Sequence, residues 1–451
     1  MMDRIEEKIL KIIDEKRDKI IENGRQIWHR AELGYKEFHT AELFMKEMEG
    51  NAETIENLAI TGVKSYLKPK RDGEVNLCLM GELDALPMGS HRDANPETGA
   101  SHCCGHNAQI AGVIGAKYAL EDDEVKEALG GNVVFFAVPA EEFVEIEFKQ
   151  KLMDEGKIKY GGGKCELIRI GALDDIDLTV GHHIDPESDA HINNAVSNGF
   201  VNKTVKFIGK ASHAAGSPDK GVDALAAMGV AVDALNAQRE TFRDQDAVRV
   251  HGFVSRGGEA MNVIADTVTM EYSVRANNVP AFLNASEKFD RAMRAGAIAL
   301  GAGVEINTFP GYMPTQPIEH PEVMLEAMKD VLGTYDYKNV DFSPFSEPTT
   351  GSTDMGDLSC VMPVFQFRTG GYKGELHNIS MDPIDEELAY VVTAKIFALM
   401  AYKLLKNNAE GAKKTLSEYK PLFKNKEEYC ELMDSLSKKE VIETNFIEPL
   451  K

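Results

Sequence analysis

Isoleucines recur at helical spacing where the chain opens: Ile5, Ile9, Ile12, Ile13 and Ile20 share one face, which predicts an amphipathic first helix. Asn132–Val138 (NVVFFAV), 75–80 (VNLCLM) and 178–180 are short apolar runs of the kind that make buried strands. Helical stretches such as 108–120 lie between them. Strands alternating with helices predict an α/β core with a mainly parallel sheet.

The middle of the chain has another texture. A polar-apolar strand at 201–208 is followed by a helix over about 221–240 and two further strands, 247–253 and 267–275. In the last of these Val268, Met270, Tyr272 and Val274 alternate with Thr269, Glu271, Ser273 and Arg275, the mark of a half-buried strand. A helix over 280–300 and a strand at 304–308 complete a β-α-β-β-α-β order, the ferredoxin-like pattern. Apolar α/β elements resume after about Gly311 and end in a long helix over 386–406. The chain therefore reads as a catalytic α/β domain, 1–195 plus 313–451, interrupted by a smaller domain at 196–312. Its charged end, 408–451, is predicted to be helical.

Length and charge narrow the classes. The 451 residues suit two domains, and a composition of 43% hydrophobic and 27% charged residues suits a sizeable core. A net charge of −23 argues against nucleic acid or an anionic membrane as partner. The opening MMDRIEEKILKIIDEK lacks a signal-peptide core, and no later stretch is expected to approach the length of a membrane span. Six scattered cysteines, with Cys103 and Cys104 adjacent, do not make a disulfide framework, so the cytoplasm is the expected compartment.

Five segments carry residues suited to chemistry: GELDALP (81–87), SHCCGHN (101–107), VPAEE (138–142), VGHHI (180–184) and ELHNIS (375–380). Each lies at or near the end of an apolar strand, where open α/β sheets build their sites. Thiolate, imidazole and carboxylate are the donors that hold zinc or similar divalent ions. Singly, each segment has an ordinary reading: Asp84 as a turn or cap, a cysteine as a small buried hydrophobe, Glu141 and Glu142 at a helix start. No HExxH helix is present, so any metal site has to be assembled from distant loops.

Order and spacing together add a resemblance. From Ile27 (IWHRAELGYKEFHTAE) to about Glu387 the chain resembles the aminoacylase-type dinuclear metallopeptidases, which include hippurate hydrolase and the plant auxin-conjugate hydrolases. Cys-Gly-His-Asn at 104–107, GSTDMGD at 351–357, GKASHAAGS at 209–217 and GGEAMNVIAD at 257–266 are most similar to the subgroup of aminobenzoyl-glutamate hydrolase and related dipeptidases. The resemblance implies two divalent ions, zinc or manganese, held by Cys104, His106, Glu142, His183 and His377. It implies Glu141 as general base and acid, taking a proton from a metal-bound water, and Asp84 behind a ligand. His213 on the inserted domain would stabilise the oxyanion in the other protomer of a dimer, and Asn262 and Arg275 would hold the substrate's carboxylate. The reaction implied is hydrolysis of the amide bond of a small N-acyl or N-aminoacyl amino acid, by a homodimer joined through the inserted domain. His102 and Cys103 match no such role and read as structural.

Two features stay open. The doublet His182-His183 offers either ring, with His-Ile-Asp-Pro favouring His183. The segment 143–160, longer than the family pattern, reads as a lid, a specificity loop or a surface excursion. Two other readings of the whole chain stand beside the hydrolase: a non-catalytic or regulatory protein of the same fold, and an amidase using Cys103 or Cys104 as nucleophile. The latter leaves Glu141, Glu142 and His377 without a function.

Overall fold

The computed structural model describes residues 2–444. In chain order its strands are β1 (Glu53–Leu58), β2 (Gly62–Tyr66), β3 (Asn76–Glu82), β4 (Asn132–Val138), β5 (Leu178–Ile184), β6 (Ala190–Ile192), β7 (Gly199–Ile208), β8 (Arg249–Arg256), β9 (Thr267–Ala276), β10 (Gly303–Pro310), β11 (Val340–Asp341), β12 (Val364–Thr369), β13 (Tyr372–Lys373), β14 (Asp382–Pro383) and β15 (Lys438–Ile442). They belong to two compact units.

The first unit comprises the chain up to Ala195 with Gln316–Glu347 and Asp357–Lys426. Its sheet runs β1-β2-β4-β3-β5-β12-β6-β11. The central strands β4, β3, β5 and β12 pair in parallel, while β2 and β6 join antiparallel. Every residue of β4 is buried, because a parallel sheet is covered on both faces, and its sequence is accordingly apolar without alternation. Helix His106–Leu120 packs closely on the helix that starts at Thr393, which kinks at Lys406–Ala409. A Cβ on Gly115 would stand 2.6 Å from that of Ala394, so the approach requires glycine.

Two expectations are corrected in this unit. The opening isoleucines form two helices, Arg4–Glu15 and Arg17–His29, the first started by an Asp3–Glu6 capping box. Ile9, Ile13 and Ile20 still face the core. The stretch Glu387–Glu418 is long and apolar enough to cross a membrane, and 94% of its most apolar window is buried inside the protein. Its apolar part, 393–405, is a core helix surrounded by protein, and non-helical backbone at Lys406–Ala409 separates it from the more polar helix that follows.

Among the described residues, the second unit comprises Val196–Thr315, Pro348–Gly356 and 427–444. Its antiparallel sheet is ordered β15-β10-β7-β9-β8, and helices Ala224–Ala237 and Val279–Leu300 pack together. The succession β7, helix, β8, β9, helix, β10 is the ferredoxin-like order expected. In β9 Val268, Met270 and Val274 are buried between more exposed neighbours, as the alternation requires. The charged tail differs from expectation: after a helix over Lys426–Leu436 it forms β15, which pairs antiparallel with β10. Burial orders this unit too, since Lys203 Nζ, fully buried, donates to Asp290 Oδ1 at 2.7 Å and Thr308 Oγ1 at 2.8 Å.

Candidate metal centre

Three backbone distortions in the first unit bring its donor groups together. Gly105, between Cys104 and His106, has φ +79°, and a Cβ there would fall 2.4 Å from Ile184 Cγ1. Ala140 has φ +50°, and its N–H donates to Glu37 Oε1 at 2.8 Å. This turn at the end of β4 directs both Glu141 and Glu142 into the same region. His377 has φ +58°, and its N–H donates to the Cys103 carbonyl at 2.8 Å. Left-handed conformations at non-glycine residues cost about 1–3 kcal/mol and persist where surrounding structure enforces them.

The result is two triads that share one sulfur. Cys104, His106 and His183 form one; Cys104, Glu142 and His377 form the other; within each, the donor atoms lie within 4.8 Å of one another. Cys104 Sγ is 3.3 Å from His183 Nε2 and 3.3 Å from His377 Nε2, and Glu142 Oε1 is 3.2 Å from His377 Nε2. Asp84 is fully buried behind them. Its Oδ2 accepts the Glu142 N–H at 2.8 Å and its Oδ1 lies 3.3 Å from His106 Nδ1, whose other contact is the Asp84 carbonyl at 2.9 Å. Glu141 Oε2 is 3.9 Å from His106 Nε2.

Successive strand residues face opposite ways, and that separates the histidine doublet. His183 turns to Cys104. His182 turns into the core, its Nε2 2.8 Å from Thr369 Oγ1 and its ring against Phe367 and Phe397.

The electrostatics suit cations. Buried His106 Nε2 and Glu142 Oε1 face only other members of the cluster, Glu82 Oε2 at 3.1 Å and His377 Nε2 at 3.2 Å. Burial, with Arg368 and His106 nearby, holds His183 down at about 4, leaving a neutral imidazole able to ligate. Burial and the charge of Glu142 raise the Cys104 thiol well above its usual range, as expected where anionic donors face one another without a cation. Sulfur, imidazole and carboxylate donors at these separations fit divalent ions.

Glu82 was missed by sequence reasoning. It forms a third cluster with His106 and Glu141, its Oε2 3.1 Å from His106 Nε2. Burial opposes its ionisation, but Lys164, whose Nζ donates to Oε1 at 2.6 Å, and His106 lower it to about 2. Its place in GELDALP, two residues before Asp84, was the available signal, since alternate strand residues share a face. The segment 143–160 is also clearer. It holds a helix, Ile146–Asp154, from which buried Lys149 donates to the Glu142 carbonyl at 2.6 Å and lies over the Tyr35 and Phe143 rings. The segment thus braces the loop that carries the glutamate pair.

Three predicted residues lie in the second unit. His213 is exposed, its Nδ1 accepting the N–H groups of Ala215 and Gly216 at 3.2 and 2.9 Å, which leaves the proton on Nε2. Asn262 is exposed in the loop before β9. Arg275 lies over the Phe200 ring at 5.1 Å and donates to Ser352 Oγ at 3.2 Å and Ser273 Oγ at 3.3 Å.

Comparison with known proteins gives a consistent picture. Residues 78–403 match the family described as peptidase family M20/M25/M40. The chain is 27% identical over 381 residues to the human Xaa-Arg dipeptidase, covering 78% of this chain and 76% of that protein. It is 26% identical over 324 residues to a component of the p-aminobenzoyl-glutamate hydrolase of Escherichia coli, covering 68% of this chain and 62% of that one. The fold matches the crystal structure of a dinuclear metal-binding M20 peptidase of Bacillus subtilis with a TM-score of 0.64 at 23% identity, over 86% of this chain and 98% of the other.

Proposed function

The chain belongs to peptidase family M20/M25/M40, hydrolases of amide and peptide bonds with a dinuclear metal centre, and from that premise we propose that it cleaves the amide bond of a small N-acyl or N-aminoacyl amino acid. The observation that carries this reading is the pair of triads sharing Cys104 Sγ with Glu141 beside them. Cys104, His106, Glu142, His183 and His377 would hold the two ions, zinc or manganese. Once bound, such ions polarise a carbonyl and bring the pKa of water towards neutrality.

The protein's own groups divide the remaining work. Glu141, next to a ligand in sequence and turned to the cluster by Ala140, takes the proton of the attacking water and returns it to the leaving amine. Asp84 holds both the Glu142 backbone and the His106 ring, so it orients two ligands at once. His213, with its Nε2 proton available, donates to the oxyanion in the other protomer of a homodimer. Asn262 and Arg275 take the substrate's free carboxylate. The six cysteines are free thiols, which supports a cytoplasmic setting.

The relatives include both an arginine-directed dipeptidase and an aminobenzoyl-glutamate hydrolase, so the amide class follows from the family while the side chain does not. The test is a screen of the metal-reconstituted protein against acyl-amino acids, aminobenzoyl-glutamate and dipeptides. Release of the amine, abolished by chelation and restored by zinc or manganese, is the expected result. Turnover indifferent to chelation would overturn the reading.

A further inference from the structure

Strands β5 and β12 pair in parallel with Phe367 opposite His182 and Arg368 opposite His183. Partners in register project to the same face, and successive residues to opposite faces. Phe367 and His182 touch at 4.9 Å between ring centroids and both face the core. Arg368 therefore projects on the face that carries His183 and, 3.3 Å from it, Cys104 Sγ. On its other side β6 places His191 opposite Arg368.

This guanidinium has Asp185 and Cys104 as anionic neighbours but no direct ion-pair partner. Among the described residues it makes no ion pair and no side-chain hydrogen bond, and its Nε is buried without a partner. Asp185, the carboxylate with which it interacts electrostatically, directs its oxygens to His191 Nε2 at 2.8 Å, Ser188 Oγ at 3.0 Å and the Glu187 N–H at 3.0 Å. Burying a cation unpaired is unfavourable, and beside a site for divalent cations it is more so. An arginine fork is suited to a carboxylate, which it can grip through two parallel N–H groups. The surroundings are complete only when an anion arrives.

We propose that Arg368 binds the side-chain carboxylate of an acidic substrate and makes acidic amino-acid amides the favoured class. This rests on the hydrolase reading above and deepens it by setting the charge of the substrate: a lysine- or arginine-type side chain would meet a like charge. The competing source is the amino acid's own α-carboxylate, which Asn262 and Arg275 are read above as holding.

The experiment uses the full-length, metal-reconstituted protein as wild type, Arg368→Met and Arg368→Lys. N-acetyl-glutamate and N-acetyl-glutamine are compared by kcat and KM, and glutarate binding is measured by calorimetry. One charge-assisted hydrogen bond corresponds to about tenfold or more in affinity. A rise of that size in KM for Arg368→Met on the glutamate substrate alone identifies the side-chain carboxylate. A parallel rise for both substrates, with kcat retained, would place Arg368 on the α-carboxylate and overturn the acidic preference. A loss confined to kcat, or a KM unmoved, overturns the proposal. If the amides are not cleaved at all the hydrolase reading fails, while glutarate binding still reports on Arg368: wild type should bind it, Arg368→Lys more weakly and Arg368→Met weakest. Should Arg368→Met not fold, the lysine variant decides. Glutarate affinity equal in that variant and wild type, or undetectable in wild type, overturns the proposal.

Discussion

Cys104 Sγ lies 3.3 Å from Nε2 of His183, across 79 residues of sequence. The contact depends on Gly105, which turns the chain so that Ile184 packs where a Cβ would otherwise be. A thiol and a neutral imidazole held this close could both serve one divalent ion as ligands.

His183→Ala should therefore lower the metal content of the reconstituted protein, read by mass spectrometry or atomic absorption, while melting of the metal-free form changes little. His182→Ala should do the opposite. It removes a fully packed ring from between Phe367 and Phe397, at a cost of about 2–4 kcal/mol, and leaves metal content intact. Equal metal loss in the two variants would contradict the division made by the strand.

Glu141→Gln preserves shape and removes the base. Metal stoichiometry should match wild type while kcat falls by about 10²–10⁴-fold, the range for a general base. Full turnover by this variant would remove Glu141 from the mechanism.

In the second unit Asp290 is the counter-charge of buried Lys203 and also lies 3.1 Å from Lys438 of β15. Asp290→Ala should destabilise the protein by about 3–5 kcal/mol in denaturant titration, because it leaves a buried ammonium unpaired. The double variant Lys203→Met/Asp290→Leu should recover most of that loss, since an apolar pair removes the desolvation cost. Similar stabilities of the single and double variants would show that the charge is not what matters there.

Acid sensitivity has a traceable contributor in Asp175. Burial opposes its ionisation, but Lys64, which donates to it, and Tyr66, whose hydroxyl donates at 2.6 Å, hold its pKa below the ordinary value. A carboxyl depressed on folding contributes stability above its unfolded pKa of about 3.9 and loses it as pH falls through the folded value. Asp175→Asn should be less stable than wild type at pH 7, with the difference shrinking as the pH drops below about 4. A difference constant with pH would show that the ionised form is not what Lys64 and Tyr66 stabilise.

Much of this was legible in sequence because it is written locally. Unbroken apolar runs marked β4 and β5, and alternation marked β9, since burial on two faces or one leaves those patterns directly. The ferredoxin-like order followed from the same reading. The donors Cys104, His106, Glu142, His183 and His377 stood out by residue type and by resemblance, and they converge in one cluster. What could not be read is equally specific. The break at Lys16 between the first two helices carries no glycine or proline, and β15 forms from a Lys/Glu-rich segment that has no strand pattern strong enough to announce it. Helix Ile146–Asp154 has a purpose only through Lys149 and the Glu142 carbonyl, a contact that the sequence of the segment does not contain.

Local patterning was enough for the order of the main elements, the α/β core with its ferredoxin-like insert and most of the chemically capable side chains, because periodicity and residue type are properties of short stretches of chain. The folded chain alone established which of those side chains meet, and with what. Glu82 meets Lys164 across 82 residues, and Arg368 stands beside His183 only because β5 and β12 pair in parallel at one register. A shift of that register by one residue would turn Arg368 to the core and Phe367 to the metal-binding face. Such pairings are selected by packing of the whole sheet, and no window of sequence contains them.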